Sequence, residues 1–408
     1  MAQTDIVGTT EPLALDDSFV QDPYAVYEWL RDEGPARKVL LPSGWGVWVV
    51  TRYAEARAAL TDPRLRKDSR VLQRYMPDAA PPEDDSLALA LQAHMLNSDP
   101  PDHTRLRKLV GKAFTARRVA ALRPRIEAIT TELLDAMADL DDDPVDLIDH
   151  FAFPLPMTVI CELLGVPDGD RQEFRAWSTT VLSDAPDQEV RAASTAMADY
   201  LVDLLAVKRA KPADDLLTGL IQARDHEDRL NEQELVSMVF VLLVAGHETT
   251  VNLIGNGTLA LLRHPDQLAR LRQDPSLVPG AVEELLRYNG PVNLATMRYT
   301  TEPVRLGDVE IPAGEFVLVS LASANHDDRR FADPERLDIG REATGHLAFG
   351  HGIHYCLGAP LARLEGEVAF RQLFDRFPGL RLAAAPAELR WRNSTLIRGL
   401  VRLPVHLA

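Results

Sequence analysis

Apolar positions recur along most of this chain every three or four residues, which is the spacing of one face of an α-helix. Short runs rich in valine and leucine interrupt that spacing and predict strands at 39–41 and 46–50. Residues 70–98 show no period and contain Pro-Pro-Glu-Asp-Asp, so we expect a long loop there. The fold class is therefore expected to be mainly α with a small β-rich portion. The pattern further predicts strands over 304–306 and 316–319. It predicts helices over 20–34, 53–60, 117–139, 152–165, 231–263 and 275–288, with helical signals from 168 to 209. One more helix is predicted from Asp102, and a last helix after Cys356.

The sequence offers no place at which the chain would divide into separate domains. Its 408 residues contain no Gly/Ser linker, low-complexity tract or internal repeat, so we expect one domain over 1–408, and a monomer. The first 18 residues lack an apolar signal segment. The longest apolar run, Met238 to Ala245, is far shorter than the ~20 residues that span a bilayer. With two cysteines, a cytoplasmic protein that does not enter a membrane is expected.

The charge of the chain is strongly negative but unevenly distributed. A net charge of −17 argues against general nucleic-acid binding. Residues 105–125 are basic instead, with no acid and eight cations. The cations are Arg105, Arg107, Lys108, Lys112, Arg117, Arg118, Arg123 and Arg125. The segment is either an ordinary solvated helix face or a basic docking surface for an acidic partner.

A glycine-rich stretch, Phe349 to Gly358, carries the second cysteine of the chain. A helix with proline in its first turn is predicted directly after it. Cys356 would then lie at a helix N-terminus, where N–H groups and the helix dipole lower the pKa of a thiol. Its thiolate would be a nucleophile, a zinc ligand with His351 and His354, or the axial ligand of a haem. Zinc is disfavoured because structural zinc sites usually take two or more cysteines. Cys161 lies in an apolar run and is expected to be a buried packing residue.

The middle of the long predicted helix has an unusual composition, Ala245-Gly246-His247-Glu248-Thr249-Thr250. Glycine inside a helix costs about 1 kcal/mol relative to alanine, so its presence needs a reason. One interpretation is a helix kink, in which Thr249 bonds back to the carbonyl of Ala245. The other is an opened turn that forms a small groove, into which the acid–alcohol pair of Glu248 and Thr249 can relay protons.

These stretches together resemble the cytochrome P450 monooxygenases. Phe349 to Gly358 matches the haem-thiolate loop F-G-x-G-x-H-x-C-x-G at every fixed position, and Ala245 to Thr250 matches A-G-x-E-T-T. Glu284 to Arg287 is similar to the E-x-x-R element, and Pro334 to Leu337 to P-E-R-F, with leucine in place of phenylalanine. The resemblance covers nearly the whole chain, and stretches such as Asp99 to Val110 look like the actinomycete macrolide-tailoring hydroxylases. It implies the P450 fold, with a long central helix over a buried haem b.

The resemblance also implies roles for individual residues. Cys356 would be the axial thiolate ligand of the haem iron, Thr249 would hold oxygen and water at the site, and Glu248 would help to deliver protons. Glu284, Arg287 and Arg336 would form a structural triad that supports the thiolate loop. The implied cofactor-binding residues, including four cations for the haem propionates, are His103, Arg107, Ala245, Gly246, Arg298, Phe349, Gly350, His354, Cys356 and Gly358.

The substrate pocket implied by family position is mainly apolar, which suits a bulky apolar ligand. Asn293 and Thr395 are its expected polar handles, and the 70–98 loop is expected to cap it. The expected lining is Leu91, Met95, Trp177, Val181, Leu242, Leu243, Val292, Asn293, Leu294, Ala295, Thr395 and Leu396.

The implied activity is hydroxylation or epoxidation of an unactivated C–H or C=C group of a natural product such as a macrolide. It would consume O2 and two electrons from NAD(P)H, delivered by a ferredoxin reductase and an acidic ferredoxin that docks on the Arg105–Arg125 face. Two alternatives stay open at this point. One is a P450 that couples or rearranges a carrier-bound intermediate, and the other is a haem-binding sensor without turnover.

Overall fold

The computed structural model describes residues 12–42, 44–68, 91–111, 114–213, 215–222 and 230–408. Helices make up most of these ranges, as the apolar spacing predicts. They are α1 (Asp17–Gln21), α2 (Tyr24–Glu33), α3 (Tyr53–Ala59), α4 (Asp102–Gly111), α5 (Ala116–Ala121), α6 (Arg123–Ala138), α7 (Pro154–Leu164), α8 (Arg171–Val181), α9 (Asp187–Ala210), α10 (Leu216–Gln222), α11 (Glu232–Arg263), α12 (Pro265–Gln273), α13 (Val278–Asn289), α14 (Leu321–Asn325) and α15 (Ala359–Arg376).

The strands are short and form a mixed sheet with two smaller ones. They are β1 (Leu13–Ala14), β2 (Ala36–Leu40), β3 (Gly46–Val50), β4 (Leu65–Arg66), β5 (Val145–Asp146), β6 (Arg298–Thr300), β7 (Val304–Leu306), β8 (Val309–Ile311), β9 (Phe316–Val319), β10 (Arg381–Leu382) and β11 (Pro404–His406). The larger sheet has the order β1-β2-β3-β9-β6-β4, while β10-β11-β5 and β7-β8 pair separately. The prediction of a mainly α fold with a small β-rich portion is confirmed.

Helix α11 is the centre of the helical core. Asn231 and Glu234 form a capping box at its start, and the helix continues without interruption to Arg263. It packs against α7, α9, α13 and α15. Among the described residues, α11 is the one helix long and apolar enough to cross a membrane, but 83% of its most apolar window is buried inside the protein. It is therefore a core helix.

The apolar core of the described residues consists of three buried clusters. One buried cluster joins the helices around α11, and two smaller clusters pack on the two faces of the larger sheet. A buried layer on each side fixes the relative position of helix and sheet, which matters because the candidate site takes residues from both. The expectation that the whole chain is one domain stays a prediction.

Several predicted boundaries shift in the structure. The helix expected over 117–139 is two helices, α5 and α6, because the chain turns at Leu122 before Pro124 starts the second one. The helix expected over 275–288 begins at Val278, after a short 3₁₀ turn. Most of the expected 70–98 loop lies outside the described residues; its end contains a 3₁₀ turn, Met95–Asn97.

Candidate active site

The loop that carries Cys356 is closed by its own backbone. Gly350 and Gly352 have φ values of 70° and 75°, a left-handed conformation that favours glycine. The Cys356 N–H donates to the carbonyl of Phe349 at 2.9 Å, which brings the two ends of the turn together. Helix α15 begins three residues later with Pro360 in its first turn, so Cys356 lies at a helix N-terminus, as expected. Gly358 has φ −81° and acts as the N-cap.

The thiol of Cys356 experiences two opposing effects. Its side chain retains accessible surface, but desolvation by the surrounding protein raises its pKa, while hydrogen bonds from the N–H groups of Gly358 and Ala359 lower it. Desolvation is the larger effect, so the expectation of a lowered thiol pKa was wrong. The helix N-terminus supplies the right donors, but a stable thiolate here needs a further positive charge, such as a bound metal.

Arginine side chains hold the Cys356 loop from outside. Arg107 donates through Nη2 to the carbonyl of Tyr355 at 2.6 Å. The guanidinium of Arg363 lies over the ring of Phe349, 4.5 Å from its centroid. Arg363 also pairs with Glu283 on α13 through contacts of 2.6 and 2.9 Å. The loop is therefore fixed to two helices as well as to itself.

Basic side chains from three separate segments meet beside this loop. The rings of His103 and His354 lie 4.4 Å apart, and neither nitrogen of His103 has a hydrogen-bond partner among the residues that the structure describes. Arg298 is buried and donates to the carbonyls of Leu65 and Leu60 at 3.1 and 3.4 Å, which leaves its Nε without a described partner. Burial and the neighbouring cations lower the pKa of both histidines. A buried group of donors of this kind fits an anionic ligand.

Accessible surface appears on α11 at the predicted position. Ala245 is exposed and Gly246 and Thr249 are half-buried, although the residues before and after them on this helix are buried. The Thr249 hydroxyl donates to the carbonyl of Ala245 at 2.9 Å, but α11 is continuous through this turn. Gly246 has a packing reason: an added Cβ would lie 2.8 Å from the side chain of Ile160 on α7.

Glu248 lies in a buried polar network on the neighbouring side of α11. Its carboxylate accepts from Arg392 at 2.5 Å and from the Ser178 hydroxyl at 2.9 Å, and His247 Nε2 is 3.6 Å away. Burial alone would raise the pKa of Glu248, but His247 and Arg392 together hold it well below its usual range. Glu248 is therefore ionised at neutral pH.

The expected structural triad has a different third member. Arg287 donates to Glu284 at 2.7 and 2.9 Å, and both side chains are fully buried. The second arginine on Glu284 is Arg341, at 3.2 Å. Arg336, which was expected there, has an exposed side chain and contributes only its carbonyl, 3.4 Å from Arg287. Arg341 takes the place expected of Arg336 because the loop turns after Leu337 and brings Arg341 back towards α13.

The expected pocket residues divide into two groups. Those that keep accessible surface are Met95, Trp177, Val181, Val292, Ala295, Thr395 and Leu396. Leu91, Leu242, Leu243 and Leu294 are buried in the hydrophobic clusters. Leu294 packs with the sheet cluster and is core rather than lining. Asn293 is also corrected as a polar handle, because its amide is engaged by Tyr27 at 2.8 Å and by the carbonyl of Thr395 at 3.0 Å.

Comparison with known proteins decides the family. A family model described as Cytochrome P450 matches residues 173–379. Cytochrome P450 107B1 of Saccharopolyspora erythraea is 56% identical over 398 residues, which cover 96% of this chain and 97% of that protein.

The chain belongs to the cytochrome P450 family. The 6-deoxyerythronolide B hydroxylase of the same organism is 47% identical, over 98% of this chain and 99% of that protein. Among solved structures, the tirandamycin C-bound P450 monooxygenase TamI superimposes with a TM-score of 0.92 and 56% identity, covering 97% of this chain and 100% of that one.

This P450 is thus an oxidoreductase of the monooxygenase class that uses haem b, O2 and electrons derived from NAD(P)H. Bacterial P450s of this kind act on small molecules and receive electrons from ferredoxins. The residues in place fit haem b: a cysteine lies at a helix N-terminus, and beside its loop is a buried group of histidine and arginine donors suited to two propionates. Outside the undescribed segments, no three His, Cys, Asp or Glu side chains form a metal-ligand group.

Sequence reasoning missed functional candidates whose neighbours come from distant parts of the chain. Arg392, the partner of Glu248, comes from the C-terminal tail. Glu365 on α15 is buried, and neither of its oxygens has a hydrogen-bond partner in the described part of the chain, although Thr250 lies nearby on α11. One signal was available: Glu365 lies at helical spacing from Leu361 and Val368, an acid on an apolar face.

Proposed function

We propose that this P450 inserts one oxygen atom into an unactivated C–H bond, or across a C=C bond, of a bulky and mostly apolar natural product such as a macrolide. The electrons come from NAD(P)H through a ferredoxin reductase and a ferredoxin, and the enzyme acts as a cytoplasmic monomer. The relatives named for 6-deoxyerythronolide B and for a complex with tirandamycin C support this substrate class.

The single observation that carries the proposal is the setting of Cys356. Its thiol lies beside the N–H groups of Gly358 and Ala359 at the start of α15, and α15 packs against α11, which carries Thr249. When bound, haem b supplies the iron at which oxygen is activated, and a cysteine thiolate ligand donates the electron density that favours O–O cleavage.

The chain's own residues hold the cofactor in this proposal. Cys356 would provide the thiolate ligand of the iron, and Arg107 fixes the loop of that ligand through the Tyr355 carbonyl. His103, Arg298 and His354 would donate hydrogen bonds to the propionates, and Arg107 would contribute its remaining N–H groups. Charge-assisted hydrogen bonds of this kind are stronger and more directional than neutral ones.

Thr249 and Glu248 have separate parts in proton delivery. Because the Thr249 hydroxyl donates to the Ala245 carbonyl, its oxygen is oriented to accept a hydrogen bond from water on the exposed side of α11. Glu248 is ionised and is bound by Arg392 and Ser178. It therefore serves as a proton acceptor within the relay and does not carry a proton at rest. A relay needs both a held hydroxyl and a charged acceptor.

Substrate binding rests on the side chains that keep accessible surface. Trp177 and Val181 on α8, Met95, and Val292 with Ala295 offer a mainly apolar lining. Thr395 remains the polar candidate, although its N–H already donates to Asp184 at 2.8 Å. Such a lining favours a large apolar ligand held by shape, with few polar contacts.

The electron donor is proposed to dock on the basic face formed by residues Arg105–Arg125, which includes α5. The strongest contributors are Arg117 and Arg118, which are exposed and form no ion pair within the described ranges. Arg123 and Arg125 are less available, because they pair with Glu367 and Glu162, each at 2.7 Å. Arg105 pairs with Glu234, and Lys112 lies outside the described residues.

Replacing Thr249 with alanine tests the proposed monooxygenase mechanism. Thr249→Ala removes the hydroxyl but keeps the fold, so the variant should still consume NADPH while releasing hydrogen peroxide. We expect product formed per NADPH to fall by about tenfold or more, the usual scale for losing a proton-transfer group. The measurement compares NADPH consumed, peroxide released and product formed.

Thr249→Ser is the matched control because it keeps the hydroxyl and should retain most of the coupling. Unchanged coupling in Thr249→Ala, with product and NADPH still in step, would count against the proposed role of Thr249.

A further inference from the structure

Two buried cations face each other where β4 meets β6. The strands pair Leu65 with Thr300 and Arg66 with Tyr299, so continuing the register by one residue sets Lys67 opposite Arg298. Both side chains are 4% exposed. Like charges directly opposite each other on neighbouring strands repel, and the repulsion is stronger away from water.

The repulsion between Lys67 and Arg298 is relieved only in part, by the carboxylate of Asp99. The Lys67 ammonium makes no side-chain hydrogen bond and no ion pair within 4 Å among the residues the structure describes. The Oδ2 atom of Asp99 accepts the backbone N–H groups of Lys67 and Asp68 at 3.0 and 3.1 Å. Asp99 therefore ends the strand and attracts the ammonium only at longer range. Burial and the charge of Arg298 hold the pKa of Lys67 well below its usual range, so a charged Lys67 calls for an anion that the described residues do not supply.

The surroundings of Lys67 identify where that anion must lie. After burial, the charge of Lys67 is the next cause of the lowered pKa of His94, and it also lowers the pKa of His103. His103 carries the two ring nitrogens without a described partner, and its ring lies 4.4 Å from that of His354. The Lys67 ammonium thus shares one recess with the cations assigned to the haem propionates.

We propose that Lys67 is an additional haem-propionate ligand, forming a salt bridge to a propionate carboxylate from the strand position opposite Arg298. The proposal rests on the haem site of the proposed function and adds a residue to it. Lys67 and Arg298 would bind the same edge of the cofactor, and the negative charge of the propionate would offset the repulsion between them. The competing occupant is a carboxylate group of the substrate.

Haem release from the holoenzyme tests this assignment. Lys67→Met removes the charge while keeping the length of the side chain, and we expect it to release haem to excess apomyoglobin about tenfold faster than the wild type. Lys67→Arg keeps a cation and should release haem at close to the wild-type rate. Arg66→Met is the matched control, since neighbouring strand residues point to opposite faces, and it should leave the rate unchanged.

A second readout is the haem reduction potential, which should become more negative in Lys67→Met because a positive charge near the propionates is lost.

If Lys67→Met does not assemble, Lys67→Gln replaces it with the same expectations. Haem release and potential at wild-type values in the neutral variant would overturn the proposal. So would wild-type haem release combined with weaker binding of acidic ligands, which would assign Lys67 to substrate. A thiolate-type reduced carbon monoxide spectrum in every variant would show that the Cys356 assignment stands independently.

Discussion

Two buried carboxyl groups on packed helices show how neighbours decide the state of a residue. Glu248 is surrounded by Arg392, Ser178 and His247 and stays ionised, although burial alone would raise its pKa. Glu365 has no such partners among the described residues, and desolvation raises its pKa to about 8. Glu365 is therefore protonated at neutral pH. The sequence distinguishes neither state, because Ser178 and Arg392 lie 70 and 144 residues from Glu248 along the chain.

The protonated state of Glu365 predicts a pH-dependent stability. Its native pKa of about 8 lies above the ordinary value of 4.5, so the folded protein keeps a proton that the unfolded chain loses in this window. The free energy of unfolding should then fall as pH rises from about 4.5 to 8, by up to about 1.4 kcal/mol per pH unit. Glu365→Gln, measured by urea unfolding between pH 5 and 8.5, should remove this contribution and flatten the profile.

The control for Glu365→Gln is Glu367→Gln on the same helix. Glu367 pairs with Arg123 at 2.7 Å near the surface, and its removal should leave the slope between pH 5 and 8.5 as in the wild type. Parallel profiles for wild type and Glu365→Gln would contradict the protonated state of Glu365.

At the residue scale, the sequence predicted what local spacing determines and missed what distant loops determine. The bond from Thr249 to the Ala245 carbonyl was predictable because the two residues are one helical turn apart. The third member of the Glu284 network was not, since Arg336 and Arg341 lie in one loop and only its path selects Arg341. The opposition of Lys67 and Arg298 needs the register of two strands more than 200 residues apart.

At the scale of elements, the helices of the structure agree best with those predicted from the sequence. The start of α11 follows from a capping box that is visible in the sequence, Asn231 followed by Glu234. The reason for Gly246 could not be predicted, because it depends on Ile160 of α7 approaching α11. Helix α11 is continuous through this turn, so the opened turn is not seen, whereas the bond from Thr249 to the Ala245 carbonyl is present and the surface around Ala245 is accessible.

Helix α5 carries the prediction about electron transfer. Replacing Arg117 and Arg118 with glutamate reverses the charge of an exposed pair that has no described ionic partner. Ferredoxin-supported turnover should fall by about tenfold or more at low ionic strength, with a smaller loss at high salt, because exposed charges are screened. Peroxide-driven turnover of the same variant should be unchanged.

A double variant of α9 and the residue after it, Arg191→Glu with Lys211→Glu, provides the same charge change elsewhere on the exposed surface. It should keep ferredoxin-supported turnover close to the wild-type rate. Equal loss of both activities in the α5 variant, or equal loss of ferredoxin support in the α9 variant, would argue against docking at α5.

At the scale of the whole molecule, the chain combines a strongly acidic surface with a small basic face. The net charge of −17 would repel an acidic ferredoxin over most approaches, so unpaired arginines on one face would favour one orientation. The fold class could be predicted from apolar spacing, and the family resemblance from ten residues around Cys356. The choice of substrate could not, because it depends on how far the lining from α8, the C-terminal tail and the segment before α4 encloses a ligand.

The central claim is that Cys356 binds the haem iron as a thiolate. The most direct test is the carbon monoxide difference spectrum of the dithionite-reduced protein, recorded for the wild type, Cys356→Ser and Cys161→Ser. The buried Cys161 is the control for the loss of a thiol. We expect the strongly red-shifted Soret band of the P450 family in the wild type and Cys161→Ser, and its absence in Cys356→Ser. A wild-type band at the ordinary position of a haem with a neutral ligand would contradict the account.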